Sequence, residues 1–302
     1  MRKHGYSSHL LLVDAVLVVA LLGGCGADAV EATDLDGEVE SVEIGIKNGQ
    51  VLPSAAPVNG VARLYIWSYD KNKWATCTGQ VSSRNTIITA AHCFDDSQFS
   101  GEYEAAWPLY AKVQTGPNTW KMISPNGSQS SASVYLHPGY WTDSEKTSHD
   151  ATYDFAVIHT VSRWHHTTNA DTSIVLKAAP SSITAWGLGY GQYDDGSPID
   201  NKLRGAQFSV TATNNMYEYQ VGSSSDPQVC PGDSGGPLKL PTSGGSIMLG
   251  VAAIITGGDD DDCGHSTASW ARTDKGWPWL LDNIDSYSGD RCTNASSYFL
   301  CW

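Results

Sequence analysis

The most informative stretch of this sequence is Gly232-Asp-Ser-Gly-Gly-Pro237, which directly follows Pro231 and has glycines on both sides of Ser234. A serine hydroxyl is a weak nucleophile unless a nearby base removes its proton. Such a serine also needs backbone N–H groups that converge on the oxygen that becomes negative during the reaction. Glycines around Ser234 permit the sharp backbone turn that presents those N–H groups. The stretch therefore predicts that Ser234 is a nucleophile.

A second stretch, Thr89-Ala-Ala-His-Cys93, supplies a candidate base for that serine. Imidazole titrates near neutral pH, so it can accept and return a proton under physiological conditions. The small residues before His92 permit close packing against a neighbouring strand, and Cys93 can fix the position of the histidine. The stretch therefore predicts that His92 is a general base.

These two stretches, in this order, resemble the paired signatures of the trypsin/chymotrypsin family of serine proteases. Four more segments are similar to segments of that family: Cys77-Thr-Gly79, Leu136-His-Pro-Gly-Tyr140, Tyr153-Asp-Phe-Ala-Val-Ile158 and Ala185-Trp-Gly187. The likeness extends from about Ile46 to Ser286. It implies an all-β fold of two antiparallel six-stranded β-barrels with a C-terminal helix, and the activity of a serine endopeptidase.

The resemblance also implies a triad, in which Asp154 orients His92 and His92 takes the proton of Ser234. Asp150 is an alternative to Asp154 as the third member. Only Asp154 is directly followed by an apolar strand, Phe155-Ala-Val-Ile158, as the family pattern requires. We therefore prefer Asp154.

Substrate-binding groups follow from the same resemblance. The N–H groups of Gly232 and Ser234 would form the oxyanion hole. Gln228, six residues before the nucleophile, would lie at the base of the primary pocket, and Ile255 and Ala268 would lie in its walls. Because Gln228 offers an amide and no carboxylate, we expect no trypsin-like preference for Lys or Arg. A bulky Ile255 would favour small or medium P1 side chains.

Activation in this family creates a new N-terminal isoleucine, whose ammonium group pairs with the aspartate before the nucleophile, here Asp233. Ile46-Lys-Asn-Gly49 resembles the Ile-Val-x-Gly start of the family, and Ile44 is a weaker candidate for the new terminus. The residue before Ile46 is Gly45, so an activator with trypsin-like specificity would not cut there.

The chain has seven cysteines, an odd number for an exported protein. Sequence order suggests three local pairs, Cys77–Cys93, Cys230–Cys263 and Cys292–Cys301, and the resemblance implies the first two of them. Other connectivities remain open from the sequence alone. The seventh, Cys25, ends a Leu-Gly-Gly-Cys stretch that resembles the lipobox of bacterial lipoproteins, where the cysteine is lipidated. An ordinary cleaved signal is the alternative.

The chain divides into four parts. Arg2 and Lys3 precede the apolar stretch Leu10–Leu22, which is short for a membrane span and typical of an export signal. Residues 26–45 are acidic and apolar-poor, as in a tether or propeptide. We predict a signal peptide over 1–25, the acidic segment over 26–45, a peptidase domain over 46–287 with barrels over 46–165 and 166–274 and a helix over 277–286, and a disulfide-closed tail over 288–302.

The formal net charge of −14 argues against a nucleic-acid partner, which requires a basic surface. We expect a protein or peptide substrate, no cofactor or metal, a monomer, and contact with a membrane only through a lipid at Cys25. The run Asp259–Asp262 fits a calcium site or a surface that attracts cationic substrates, but we interpret it as a solvated acidic loop, because four adjacent side chains cannot all face one ion. We interpret His165-His166 as surface residues.

Two other functions are compatible with the family. An inactive protease homologue that serves as a binding module would usually lack a triad residue, and this chain has all three. A glutamate-selective endopeptidase would need basic residues around its pocket, and His265 is the only nearby candidate in the sequence.

Overall fold

The structure is a computed structural model. The residues that it describes are 46–52, 60–68, 73–82, 86–94, 111–116, 119–123, 132–144, 148–160, 172–175, 180–194, 198, 202–213, 215–242, 245–256, 263–264, 266–285, 292–294 and 298–301. Outside them lie the predicted signal peptide with Cys25, the acidic segment 26–45, His165-His166, Asp259–Asp262 and His265. Among the described residues, no helix has the length and apolar character needed to cross a membrane.

The first half of the chain folds mainly into one antiparallel sheet. A short strand, β1 (Gln50–Val51), comes first and is not part of this sheet. The strands of the sheet are β2 (Val61–Ser68), β3 (Lys73–Val81), β4 (Thr86–Thr89), β5 (Ala111–Gly116), β6 (Thr119–Ile123), β7 (Ala132–Leu136) and β8 (Ala156–Thr160). Strands β2 to β8 form this sheet in the order β6-β5-β2-β3-β4-β8-β7. Within the described residues this sheet has seven strands, whereas the resemblance implied a barrel of six.

The second half contains a closed barrel. Its strands are β9 (Thr172–Val175), β10 (Ser182–Gly189), β11 (Arg204–Ala212), β12 (Met216–Gln220), β13 (Pro237–Thr242), β14 (Gly245–Thr256), β15 (Thr267–Arg272), β16 (Cys292–Asn294) and β17 (Tyr298–Cys301). Pairing runs β13-β10-β11-β12-β15-β14, and β14 pairs again with β13, so these six strands close into a barrel. The expected all-β, trypsin-like architecture is confirmed.

Alternation of side chains explains why β11 lies in the wall of this barrel. Ala206, Phe208 and Val210 are buried in the core, whereas the intervening Gln207 and Ser209 are exposed. Successive strand residues point to opposite faces, so this period of two gives the sheet one apolar and one polar side. Complete burial of a side chain such as Phe208 contributes about 2–3 kcal/mol to stability.

The first described residues, 46–52, are associated with the second sheet. Strand β1 pairs with β11, with Gln50 opposite Gly205, and Lys47 forms a bridge with Gln228. These residues therefore pair with strands of the second half, whereas the predicted division assigned residues 46–165 to the first barrel. The strand-like runs of the sequence could not reveal this, because pairing partners are set by long-range contacts.

Helix α1 (Thr273–Asp285) begins four residues before the predicted start. The Thr273 hydroxyl donates to the Met248 and Leu249 carbonyls, 3.0 and 3.1 Å away, and Asp274 forms an ion pair with Arg272. An acidic residue in the first turn also interacts favourably with the helix dipole. Because the helix begins at Thr273, Pro278 lies inside it.

The C-terminal tail forms the hairpin β16–β17, which extends the second sheet through β9. Its register places Cys292 directly opposite Cys301. Directly opposed residues of antiparallel strands lie at a Cα separation that a disulfide can bridge. The Cys292–Cys301 disulfide stays a prediction, since it concerns side chains outside the described part.

The buried His159 of β8 should make stability depend on pH. Burial lowers its pKa to about 4, partly offset by a hydrogen bond with the Asn283 backbone of α1. The unfolded chain binds a proton at His159 near pH 6.5 and the folded chain does not, so stability falls as pH drops from 6.5 towards 4, by up to about 1.4 kcal/mol per pH unit. We expect His159→Leu to remove this part of the slope.

The measurement is urea unfolding of parent and variant between pH 4 and 7. Asp233 has the opposite sign: its pKa is raised to about 7 in the folded chain, so its contribution to stability falls as pH rises through this window. The difference between the two curves isolates His159. Equal slopes for parent and variant would show that His159 is protonated normally in the folded chain.

Candidate active site

His92 lies in a short 3-10 turn, Ala91–Phe94, which directly follows β4. Ala90 and Ala91 are completely buried, so only small side chains fit before the histidine. Cys93 forms a disulfide with Cys77 of β3. The turn is thereby attached covalently to a neighbouring strand, and the position of His92 is restricted.

Asp154 lies against this histidine. It follows the 3-10 turn Ala151–Tyr153 and precedes β8, which pairs with β4, so both turns leave the sheet at the same end. Its Oδ2 is 2.6 Å from Nδ1 of His92, and its Oδ1 accepts the His92 backbone N–H at 2.8 Å. The Asp154 side chain is 3% exposed and that of His92 29%. The aspartate is therefore enclosed while the imidazole reaches solvent.

The alternative carboxylate has a different partner. Asp150 precedes the turn Ala151–Tyr153, and its Oδ1 accepts the backbone N–H of Thr152 at 2.9 Å. It therefore caps the turn that carries Asp154. This geometry favours Asp154 over Asp150 as the partner of His92.

The segment from Cys230 to Pro237, here called the nucleophile loop, carries Ser234. The Asp233 N–H donates to the Cys230 carbonyl at 3.0 Å, and the Gly236 N–H donates to the Asp233 carbonyl at 2.7 Å. Gly235 has a φ of 80°, and a Cβ there would lie 2.3 Å from the Thr78 carbonyl oxygen. Only glycine fits at this position, so the sequence pattern around Ser234 reflects the shape of the loop.

Two contacts place the backbone of Ser234 beside the first sheet. The Thr78 N–H of β3 donates to the Ser234 carbonyl at 2.7 Å. Sγ of Cys93, the residue after His92, lies 3.8 Å from the same oxygen. Among the hydrogen bonds of the described residues, none has the N–H of Gly232 or Ser234 as its donor. Both N–H groups therefore remain available to a ligand.

Asp233, directly before Ser234, points into the protein. Its carboxylate accepts the Gly191 N–H at 2.7 Å and the Cys230 N–H at 2.9 Å. Burial raises the pKa of Asp233 to about 7, against the effect of these hydrogen bonds, of the nearby Arg204 charge and of a backbone hydrogen bond with Ile46. A nearby positive charge would lower this pKa and favour the ionised carboxylate.

The segment that begins at Ile46 is inserted next to Asp233. Ile46 is 1% exposed and packs in the core of the second barrel. The next two residues attach it to neighbouring loops: Lys47 forms an ion pair with Asp194 at 3.3 Å, and Asn48 Nδ2 donates to the Ser224 carbonyl at 2.8 Å. The sequence pointed to Ile46 but not to these two anchors.

Of the three predicted pocket residues, two lie on strands of the second barrel and one lies in the segment between β12 and β13. Gln228 is buried, and its backbone N–H donates to the Lys47 carbonyl at 3.0 Å. Ile255 of β14 and Ala268 of β15 are opposite each other in the strand register. Cys230, two residues after Gln228, forms the predicted disulfide with Cys263.

Sequence reasoning missed several residues of this region, above all Thr78, Gly191 and Arg204. Thr78 was noted only as part of the Cys77-Thr-Gly79 segment, yet it contacts the nucleophile loop directly. Gly191 lies just beyond the Ala185-Trp-Gly187 segment, and Arg204 lies on β11. No local pattern marks these residues, because each contacts a partner far away in the chain.

Comparisons with known proteins show the family of this chain. Residues 61–274 match the family described as Trypsin. The chain is 25% identical to a venom peptide isomerase heavy chain of Agelenopsis aperta, over 72% of this chain and 88% of the relative. It is 27% identical to the human chymotrypsin-like elastase family member 3B, over 68% and 80%, and 27% identical to trypsin delta of Drosophila melanogaster, over 59% and 68%. The chain belongs to the trypsin family.

Proposed function

We propose that this protein is a serine endopeptidase that hydrolyses peptide bonds through an acyl-enzyme intermediate. The observation that carries the proposal is the His92–Asp154 pair, with 2.6 Å between Nδ1 and Oδ2, held beside the loop of Ser234. A buried carboxylate bonded to Nδ1 leaves Nε2 of the same imidazole to act as a base.

In the proposed reaction, His92 removes the proton of the Ser234 hydroxyl as its oxygen attacks the peptide carbonyl. The carbonyl oxygen becomes negative and binds the N–H groups of Gly232 and Ser234. His92 then gives the proton to the leaving amine, and the C–N bond breaks to leave an acyl-serine. A water molecule, activated by the same histidine, releases the acid and restores the serine.

Two alternatives are retained because family membership alone does not fix the reaction. The relatives include elastases and a trypsin but also a protein named as a peptide isomerase. A catalytically silent binding module and a glutamate-selective endopeptidase are the other candidates. The pair of His92 and Asp154 favours catalysis over the binding module. The hypothesis of a glutamate-selective enzyme depends on His265 as a pocket residue, which lies outside the described residues.

The experiment that tests the function uses a protein that begins at Ile46 and a fluorophosphonate probe, read by intact mass. A single adduct followed by cleavage of a peptide library supports the proposal, and cuts only after Glu support the glutamate-selective enzyme. An adduct without any cleavage favours another reaction at the same serine. A folded protein without an adduct indicates a binding module.

We also propose that cleavage of the Gly45–Ile46 bond activates the protein. In the intact chain Ile46 has a φ of 45°, which is unfavourable for a β-branched residue. Cleavage removes this torsion, because φ is not a constraint at a chain terminus. It also converts a backbone N–H into an ammonium group next to the Asp233 carboxylate, where a positive charge stabilises the ionised form.

Activity should therefore rise when the chain is cut before Ile46. Residues 41–45 are replaced by the recognition sequence of a protease that leaves Ile46 as the first residue, and turnover is measured before and after cleavage. A charge-assisted bond to a buried group contributes about 1.5–3 kcal/mol, so we expect a gain of about 10- to 100-fold. The Asp233→Asn variant, cut in the same way, should not show this gain in turnover.

A matched protein cut before Ile44 serves as the control for the position of the new terminus. We expect its turnover to stay at the level of the uncut chain, since the ammonium group would then lie two residues before the position that faces Asp233. Full turnover of the uncut chain, or equal gains at both positions, would contradict the proposed activation.

We propose a P1 preference for uncharged side chains of small or medium size. Oε1 of Gln228 is buried and, within the described part of the chain, has no hydrogen-bond partner. An amide at the pocket base offers no charge to neutralise Lys or Arg.

Two disulfides are typical of exported proteins. We therefore propose that the protein is exported. The Leu-Gly-Gly-Cys stretch that ends at Cys25 leads us to propose a lipid anchor there.

A further inference from the structure

We propose that the Thr78 hydroxyl is a positioning group for catalysis, which holds the nucleophile loop and the loop after β10 in their active arrangement. The inference rests on the proposed peptidase function. The hydroxyl belongs to the Cys77-Thr-Gly79 segment of β3.

Thr78 is completely buried and uses all of its polar atoms. Its Oγ1 donates to the Gly232 carbonyl at 2.9 Å and accepts the Tyr190 N–H at 3.0 Å. Its backbone N–H donates to the Ser234 carbonyl at 2.7 Å, and its carbonyl accepts the Thr89 hydroxyl at 2.7 Å. One residue of the first sheet thus contacts two separate loops of the second.

These bonds fix the peptide groups that alternate with the proposed oxyanion donors. The Gly232–Asp233 peptide is bonded at both ends, through its carbonyl to Thr78 and through its N–H to Cys230. The Ser234–Gly235 peptide is bonded in the same way, to Thr78 and to Ala252. The Asp233–Ser234 peptide between them carries the Ser234 N–H, and the Pro231–Gly232 peptide directly before them carries the Gly232 N–H. The directions of both N–H groups are therefore restricted by these bonded neighbours.

Gly232 is the position in this loop where rotation is easiest. Its φ is 95°, a region that glycine enters readily and leaves as readily. Without the bond from Thr78, the Gly232 carbonyl loses its partner, and the peptide can rotate. Donors aimed at the oxyanion act mainly in the transition state, so a small misdirection lowers kcat more than it raises KM.

The bond to Tyr190 connects the same hydroxyl to the support of Asp233. Tyr190 is followed by Gly191, whose N–H donates to Asp233 Oδ1 at 2.7 Å. The Thr78 hydroxyl is therefore shared by the loop that carries Ser234 and the loop that holds Asp233. A change at Thr78 should disturb both loops together, although they are about 40 residues apart in sequence.

The test compares Thr78→Val, which removes the hydroxyl at nearly constant shape, with Thr78→Ser, which keeps it. We expect Thr78→Val to lower kcat and the rate of fluorophosphonate labelling by about 10- to 100-fold, with KM changed by less than about threefold. Thr78→Ser should recover most of this loss. Thr86→Val is the matched control: Thr86 is buried on adjacent β4, its hydroxyl faces His159 at 3.4 Å, and kcat should stay near that of the parent.

Hydrogen exchange supplies a readout that does not need catalysis. In Thr78→Val, exchange should accelerate in both loops, residues 188–194 and 230–236, while the Thr86→Val protein shows parental exchange there. Parental kcat and exchange in a folded Thr78→Val protein would overturn the inference and leave the peptidase function intact. If Thr78→Val does not fold, Thr78→Ser and Thr78→Ala decide the question by the same two measurements. If the parent protein shows no turnover, the peptidase function is contradicted, and hydrogen exchange alone then tests whether Thr78 holds the two loops.

Discussion

Replacement of Ser234 by alanine should lower kcat on any peptide substrate by about six orders of magnitude, and His92→Ala should cost about as much. The two side chains act as one unit, because the hydroxyl attacks only when the imidazole takes its proton. The double variant should therefore be no worse than either single variant. Residual turnover would come from the N–H groups of the nucleophile loop and from substrate binding.

The measurement is kcat in the chain cut before Ile46, together with labelling by the fluorophosphonate probe. Ser182→Ala is the matched control, since Ser182 is exposed on β10 and its loss should leave turnover unchanged. Ser234 is only half-buried, and its replacement removes a single oxygen, so thermal unfolding should stay close to that of the parent. A folded Ser234→Ala protein with more than about 1% of parental kcat would contradict the role of Ser234 as nucleophile.

The triad candidates could be predicted because each lies in a short pattern that its surroundings require. Gly235 is demanded by a backbone carbonyl 2.3 Å from where a Cβ would be. Ala90 and Ala91 are demanded by complete burial before His92. Local constraints of this kind leave a signature that can be read from a few consecutive residues.

The supporting contacts could not be predicted because they join distant parts of the chain. Asn48 donates to the Ser224 carbonyl across 176 residues, and Thr78 donates to the Gly232 carbonyl across 154. Both side chains could equally bond water or a neighbouring residue, so no pattern selects the partner. The same limit applies to β1, which pairs with the distant strand β11.

The limits of helix α1 illustrate a different failure. The predicted helix over 277–286 covers the second part, where Leu280 and Ile284 are fully buried. The first turn has no large apolar side chain. It is held instead by the ion pair of Arg272 with Asp274 and by the hydroxyl of Thr273.

Asp154→Asn should lower kcat by about 10⁴-fold while leaving the backbone of the site in place. In the parent, the two carboxylate oxygens accept from Nδ1 and from the backbone N–H of His92, at 2.6 and 2.8 Å. An amide has only one acceptor oxygen. If that oxygen stays on the backbone N–H, the NH₂ group faces Nδ1 and favours the tautomer with its proton on Nε2, which cannot act as a base.

Asp150→Asn is the matched control, because Asp150 lies one short turn away and its side chain, in the described part of the chain, bonds only to the Thr152 N–H. It should lose a fraction of a kcal/mol of stability, as for a weakened cap, and keep its kcat within about threefold. Both variants are assayed in the chain cut before Ile46, with kcat and KM measured across pH. The triad requires a loss in kcat at unchanged KM for Asp154→Asn alone. Equal losses in the two variants would mean that the carboxylates support the turn that precedes β8 and do not orient the histidine.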